Sequence, residues 1–175
     1  MEVSQVNTDR EGMKGMKYHE YVRDYWDYDA GEHHLVAIFI IPELQNALGV
    51  LPIFVNPDGM KSIPGDIVYA CERRNFTIEV KLKKLCLTKT QYSPDYNPDV
   101  LLHFDYNKIG IADWNQFQNE YVLKMEKLRV KGRKYDKYGP VVNANELKSI
   151  EFHKEDEIFT ILQRLYKDCD SRNLP

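Results

Sequence analysis

Between Val50 and Lys81, three short apolar runs alternate with two dense clusters of turn-forming residues, and this stretch limits what the chain can become more than any other. Residues 50–55 are apolar and partly β-branched, and Asn56-Pro57-Asp58-Gly59 halts them. After Pro64-Gly65 comes Asp66-Ile67-Val68-Tyr69-Ala70-Cys71, then Glu72-Arg73-Arg74-Asn75, then Phe76-Thr77-Ile78-Glu79-Val80-Lys81. β-branched and aromatic side chains suit a pleated, half-buried surface, while Pro, Gly, Asn and Asp supply backbone angles that a strand does not use. The pattern therefore predicts three strands, the last two joined as a hairpin.

The flanks predict helices. Asp29 with Glu32 three residues later forms a capping box ahead of Leu35, Ile38 and Phe39; Pro42 should kink or restart that helix and Gly49 should end it. Downstream, residues 100–104 read as a strand, and Asp113 with Gln116 caps a helix whose Trp114, Phe117, Tyr121, Met125 and Leu128 share one face. Residues 148–152 read as a last strand before a helix carrying Ile158, Phe159, Leu162, Leu165 and Tyr166. The order α-β-β-β-β-α-β-α is that of a mixed α/β domain. No repeat or linker divides the chain, so residues 1–175 form one domain, with the polar residues 1–16 as a frayed tail. The aromatic run Tyr18, Tyr21, Tyr25, Trp26, Tyr28 is expected to pack across the core or a dimer partner, with base stacking as the alternative.

Composition excludes several classes. With 43% hydrophobic and 12% aromatic residues the chain can bury a core, so global disorder is out. The longest apolar stretch, residues 35–42, is far shorter than the roughly 18–20 residues that cross a bilayer. The N-terminus carries Glu2, Asp9 and Glu11 and no apolar signal core, so a cytoplasmic protein without a membrane partner is expected. Cys71, Cys86 and Cys169 include no CxxC pair and read as free thiols. The net charge of −3 hides an uneven distribution: residues 1–66 hold five basic and eleven acidic side chains, residues 67–137 fourteen and nine, residues 138–175 five and seven. A positive middle inside an acidic protein excludes a histone-like coat, yet leaves room for a local phosphate-facing surface.

Chemistry concentrates on the hairpin. Residues two apart on a strand point to one face, so Glu79 and Lys81 project together, and pairing brings Asp66 beside them. Two converging carboxylates are what Mg²⁺ asks of a protein, water and phosphate oxygens completing its shell. A lysine alongside can orient a water or neutralise charge on a phosphate under attack. Glu146-Leu147-Lys148 has the same spelling, but the nearest upstream acid, Asp136, lies in a polar loop and opens no strand.

Pro64-(Gly65)-Asp66 and Glu79-Val80-Lys81, within a helix, strand, turn, strand, turn, strand frame, resemble the PD-(D/E)xK nuclease superfamily over roughly residues 29–83. The resemblance implies a restriction-endonuclease-like αβββαβ core, a central mixed sheet flanked by helices, and Mg²⁺-dependent cleavage of DNA, with Mn²⁺ as a substitute metal. It implies that Asp66 and Glu79 ligate metal, that Lys81 acts at the attacking water, and that Glu32 supports the metal from the first helix. Glu32 also has its capping-box reading. Gly65 departs from the family pattern by separating the proline from the aspartate.

Lys83, Lys84 and Lys89 follow the active strand, and Lys124, Lys127, Arg129, Lys131, Arg133, Lys134 and Lys137 cluster at the end of the second helix. Of these, Lys83, Lys84, Lys131, Arg133 and Lys134 are the expected nucleic-acid contacts; a solvated charged face is the competing reading. His33 and His34 point about 100° apart on a helix and cannot share a metal. His103 reads as structural, Asp99 and Asp105 lack a clear role, and Arg73 and Arg74 are unassigned. The expectation is a small restriction-type or mobile-element endonuclease, acting as a homodimer because duplex DNA has two antiparallel strands. The alternative is a non-catalytic nucleic-acid-binding or interaction protein that keeps the fold.

Overall fold

The computed structural model describes residues 40–55, 65–82, 85, 87, 91–105, 108–130 and 142–169. Helix α1, Ile41–Leu48, begins with Pro42 in its first turn, where a missing N–H is harmless, and ends at Gly49. Ile40, just before the helix, is already in the right-handed helical region, and residues 29–39 of the helix expected from Asp29 onward lie outside the described residues. Then follow β1 (Phe54–Val55), β2 (Ile67–Ala70), β3 (Asn75–Leu82), β4 (Val100–Asp105), β5 (Lys108–Asp113), α2 (Trp114–Val130), a 3₁₀ turn at Ala144–Glu146, β6 (Glu151–His153) and α3 (Glu155–Lys167).

The six strands form one sheet in chain order, β1-β2-β3-β4-β5-β6. Every neighbouring pair is antiparallel except β3 and β4, which run parallel with Glu79 opposite Leu101 and Lys81 opposite His103. The mixed sheet flanked by helices is therefore present, and α1 followed by β1–β3 has the expected αβββ order. Beyond it, the chain passes from β3 to β4 with no helix among the described residues of the connection, and α2 follows β5.

Against expectation the first strand shrinks, the last moves from residues 148–152 to Glu151–His153, and one strand is new. The first shrinks from residues 50–55 to a two-residue pairing at the sheet edge, leaving Val50, Leu51 and Ile53 exposed. Strand β5 is an addition. Gly110 interrupts its Ile109/Ile111 alternation, yet a side chain there would strike the Ile150 Cγ2 at 2.5 Å, so close packing rather than flexibility accounts for the glycine.

Period-two alternation sorts the sheet into two faces. Ile67, Tyr69, Phe76, Ile78, Val80, Val100, Leu102 and Ile109 join Leu44 of α1 and Ile158, Phe159 and Leu162 of α3 in one apolar core. Leu101 and Ala112 join Trp114, Phe117, Tyr121 and Met125 of α2 in a second core on the other face. Helix α2 is capped as expected, the Gln116 N–H donating to Asp113 Oδ1 at 3.1 Å. Asp99 and Arg74, left without roles by the sequence, prove structural. Arg74 Nη1 donates to Asp99 Oδ1 at 2.6 Å and its Nε to the Cys169 carbonyl at 2.9 Å, while Asp99 Oδ2 accepts from the Thr77 N–H at 2.8 Å. The pair ties the hairpin turn, β3 and the end of α3 together.

Candidate functional site

The site is built at the start of β2 and the middle of β3. Gly65 has φ +86°, and a Cβ there would sit 3.1 Å from the Ile78 carbonyl oxygen. Only glycine takes this corner without strain. The departure from the family spelling is thus the residue that lets the chain turn tightly over β3 and enter β2. The Asp66 N–H donates to the Ile78 carbonyl at 2.8 Å, and the Asp66 Oδ2 accepts from the Val80 N–H at 2.7 Å. One aspartate grips β3 from both its backbone and its side chain.

Glu79 and Lys81 project from the opposite side of β3 to Ile78 and Val80, as expected from alternation, onto the face that α2 covers. Both are buried, at 3% and 8% exposure, which is rare for ionised side chains that do not serve a purpose together. Their charged atoms stand 3.6 Å apart, Lys81 Nζ to Glu79 Oε1. Gln91 bridges them from the side: its Nε2 donates to Glu79 Oε1 at 2.7 Å, and its Oε1 accepts from Lys81 Nζ at 3.1 Å. The Tyr96 hydroxyl donates to Glu79 Oε2 through a short hydrogen bond and accepts the Gly65 N–H at 3.0 Å. Burial, then the charge of Glu79 and the bond to it, push the Tyr96 phenol above the ordinary tyrosine range; Asp66 adds to the effect and the Gly65 N–H opposes it. Tyr96 therefore stays a donor throughout the working pH range. Asp66 belongs to this same electrostatic neighbourhood, because its carboxylate acts on the phenol that Glu79 holds.

The structure thus gathers Asp66, Glu79 and Lys81 at one corner of the hairpin. Glu32, Lys83, Lys84, Lys131, Arg133 and Lys134 lie outside the described residues, as do Asp29, the aromatic run from Tyr18 to Tyr28, His33, His34, Lys89, Cys86 and the tail. His103 is fully buried beside Phe152, in keeping with a structural role. The decoy Glu146-Leu147-Lys148 is spread over a 3₁₀ turn, with Leu147 buried and Glu146 near Lys124 at 3.9 Å.

Gln91, Tyr96 and Gln118 were not expected. Gln91 and Tyr96 sit in the polar connection between β3 and β4, where no periodicity marks them. Gln118 did leave a trace, a polar residue next to Phe117 on the buried side of α2. It is 8% exposed, and its Nε2 holds the carbonyls of Gln91 at 2.7 Å and Ser93 at 3.1 Å.

Among the described residues no three His, Cys, Asp or Glu side chains cluster as a metal cage. Asp66 and Glu79 carry hard carboxylate oxygens, the donor type that suits Mg²⁺ or Mn²⁺, and here those oxygens accept from the Val80 N–H, Gln91 and Tyr96. Comparison of the chain with known protein families, curated proteins and solved structures found no match in any of the three. No helix among the described residues is long and apolar enough to cross a membrane.

Proposed function

We propose that this protein is a Mg²⁺-dependent DNA endonuclease of the PD-(D/E)xK type, with a restriction-endonuclease-like core. The observation that carries the reading is the corner itself: an acid and a lysine buried two residues apart on one face of β3, with a second acid locked beside them by Val80. Hydrophobic residues at these positions would stabilise the fold at least as well, so burial of this pair points to chemistry. Asp66 and Glu79 would hold the cation, which when bound withdraws charge from a scissile phosphate and acidifies water. Lys81 supplies a compact ammonium that orients the attacking water and neutralises the developing charge on phosphate. Mn²⁺ is expected to substitute. Lys83, Lys84, Lys131, Arg133 and Lys134 are proposed to contact the DNA backbone, Glu32 to support the metal, and two copies to cut the two strands.

The test is purified protein with plasmid, branched or single-stranded DNA in Mg²⁺, Mn²⁺ or EDTA. Cleavage should need metal, and Glu79→Ala and Lys81→Ala should each lower it by about 10²–10⁴-fold while DNA binding persists. Wild-type cutting by either variant would overturn the proposal. A second reading, a DNA-binding or interaction protein without chemistry, draws on the contacts already made by both Glu79 oxygens with Gln91 and Tyr96. DNA binding that ignores EDTA, with no cleavage of any substrate, would select it.

A further inference from the structure

We infer that Gln91 is a positioning residue, a neutral bridge whose amide bonds the Glu79 carboxylate and the Lys81 ammonium at once and so fixes the orientation of both charged groups; the role rests on the nuclease reading. The geometry dictates which end of the amide faces which charge. A carboxylate needs a donor and an ammonium needs an acceptor, so the Gln91 NH₂ must face Glu79 and its carbonyl Lys81, as they do at 2.7 and 3.1 Å. No other uncharged side chain of this reach offers a donor and an acceptor side by side. The ammonium also stands 3.6 Å from Glu79 Oε1, so carboxylate, amide and ammonium close one ring of contacts.

Gln91 can do this because it is itself held. It is 9% exposed, and Gln118 on α2 grips its backbone carbonyl and that of Ser93. A second glutamine thus fixes the turn that carries the first, and the rigid helix sets the depth to which the bridging amide reaches. Tyr96, from the same turn, holds the other oxygen of Glu79. The connection between β3 and β4 therefore acts as a bracket over the hairpin corner.

Two near-isosteric variants separate positioning from space filling. Gln91→Met keeps the volume and removes both donor and acceptor; Gln91→Glu keeps the acceptor and turns the donor toward Glu79 into a repelling oxygen. Each is checked for folding by thermal unfolding, then assayed for single-turnover cleavage rate at saturating Mg²⁺, for DNA affinity, and for Mg²⁺ binding by calorimetry without DNA. Expected for Gln91→Met is a rate about 10–100-fold lower with DNA affinity within about twofold of wild type, together with altered Mg²⁺ affinity. Gln118→Ala should reproduce a milder form of the same split. A folded Gln91→Met that cuts DNA at the wild-type rate and binds Mg²⁺ equally overturns the inference and leaves the nuclease reading standing. Should Gln91→Met fail to fold, Gln118→Ala with unchanged rate and Mg²⁺ affinity overturns it in its place. A wild type that neither cuts DNA nor binds Mg²⁺ overturns the nuclease reading, and the positioning role falls with it.

Discussion

Strand β3 delivers Phe76, Ile78 and Val80 to one side of the sheet and Glu79 and Lys81 to the other, and the two sides hold together by different physics. Beneath α1 and α3 the contacts are apolar and interchangeable in kind; any well-fitting hydrocarbon serves. Beneath α2 the half of the face near β4 and β5 is also apolar, but the half near β2 and β3 is a network in which each polar atom needs a particular partner. The contrast teaches that one strand can give alternate residues to an apolar core and to a specific polar network without a compromise at either, since the faces never meet.

The largest expected effect lies on the apolar side. Ile78→Ala should lower unfolding free energy by about 2–5 kcal/mol in a denaturant titration, because the site lies between two helices and the sheet and cannot collapse. A change under 1 kcal/mol would break the claim that this face carries the stability. The opposite side should answer differently. Glu79→Gln combined with Lys81→Met removes both charges at similar volume but takes the Lys81 donor from the Gln91 carbonyl, so it should cost no more than about 1–3 kcal/mol of stability while abolishing cleavage. Strong destabilisation would mean that the pair is kept for folding, and would weaken the functional reading.

A smaller effect sits at the rim of the α2 side. Burial alone would push the Glu120 carboxyl up, but the Ser149 N–H and hydroxyl and the Lys148 N–H together bring it below the ordinary glutamate value. A lowered carboxylate contributes stability that is present above the unfolded-state glutamate pKa and is lost as pH falls through the folded-state value. Glu120→Gln should lower stability at neutral pH by about 1 kcal/mol and flatten the acid limb of the stability profile; an unchanged acid limb would refute the assignment. The smallest effect returns to the apolar side. The Tyr69 hydroxyl is buried with no hydrogen-bond partner among the described residues, so Tyr69→Phe should be neutral or stabilise by up to about 1 kcal/mol by thermal melt.

What the sequence disclosed follows the range of the forces involved. Local signals were legible: Gly49 as a helix stop, Asp113 as the α2 cap, the β2–β3 hairpin, and the projection of Glu79 with Lys81 all depend on residues a few positions apart. What escaped depends on distant contacts. Strand β5 was not foreseen, and the Ile150 side chain that requires a glycine at position 110 is forty residues away in sequence. Asp99 lacked a role because its partners Arg74 and Thr77 lie across the sheet. Gln91 and Tyr96 reach the site from a connection with no periodic pattern, and only folding reveals what they touch.

The grip of Asp66 on β3 also fixes a phase. Slipping β3 by one residue would turn Ile78 and Val80 toward the site and drive Glu79 and Lys81 into hydrocarbon, inverting every side chain at once. Asp66 bonds to both Ile78 and Val80, and Gly65 lies against the same Ile78 carbonyl, so this corner is also the index mark from which odd and even positions are counted.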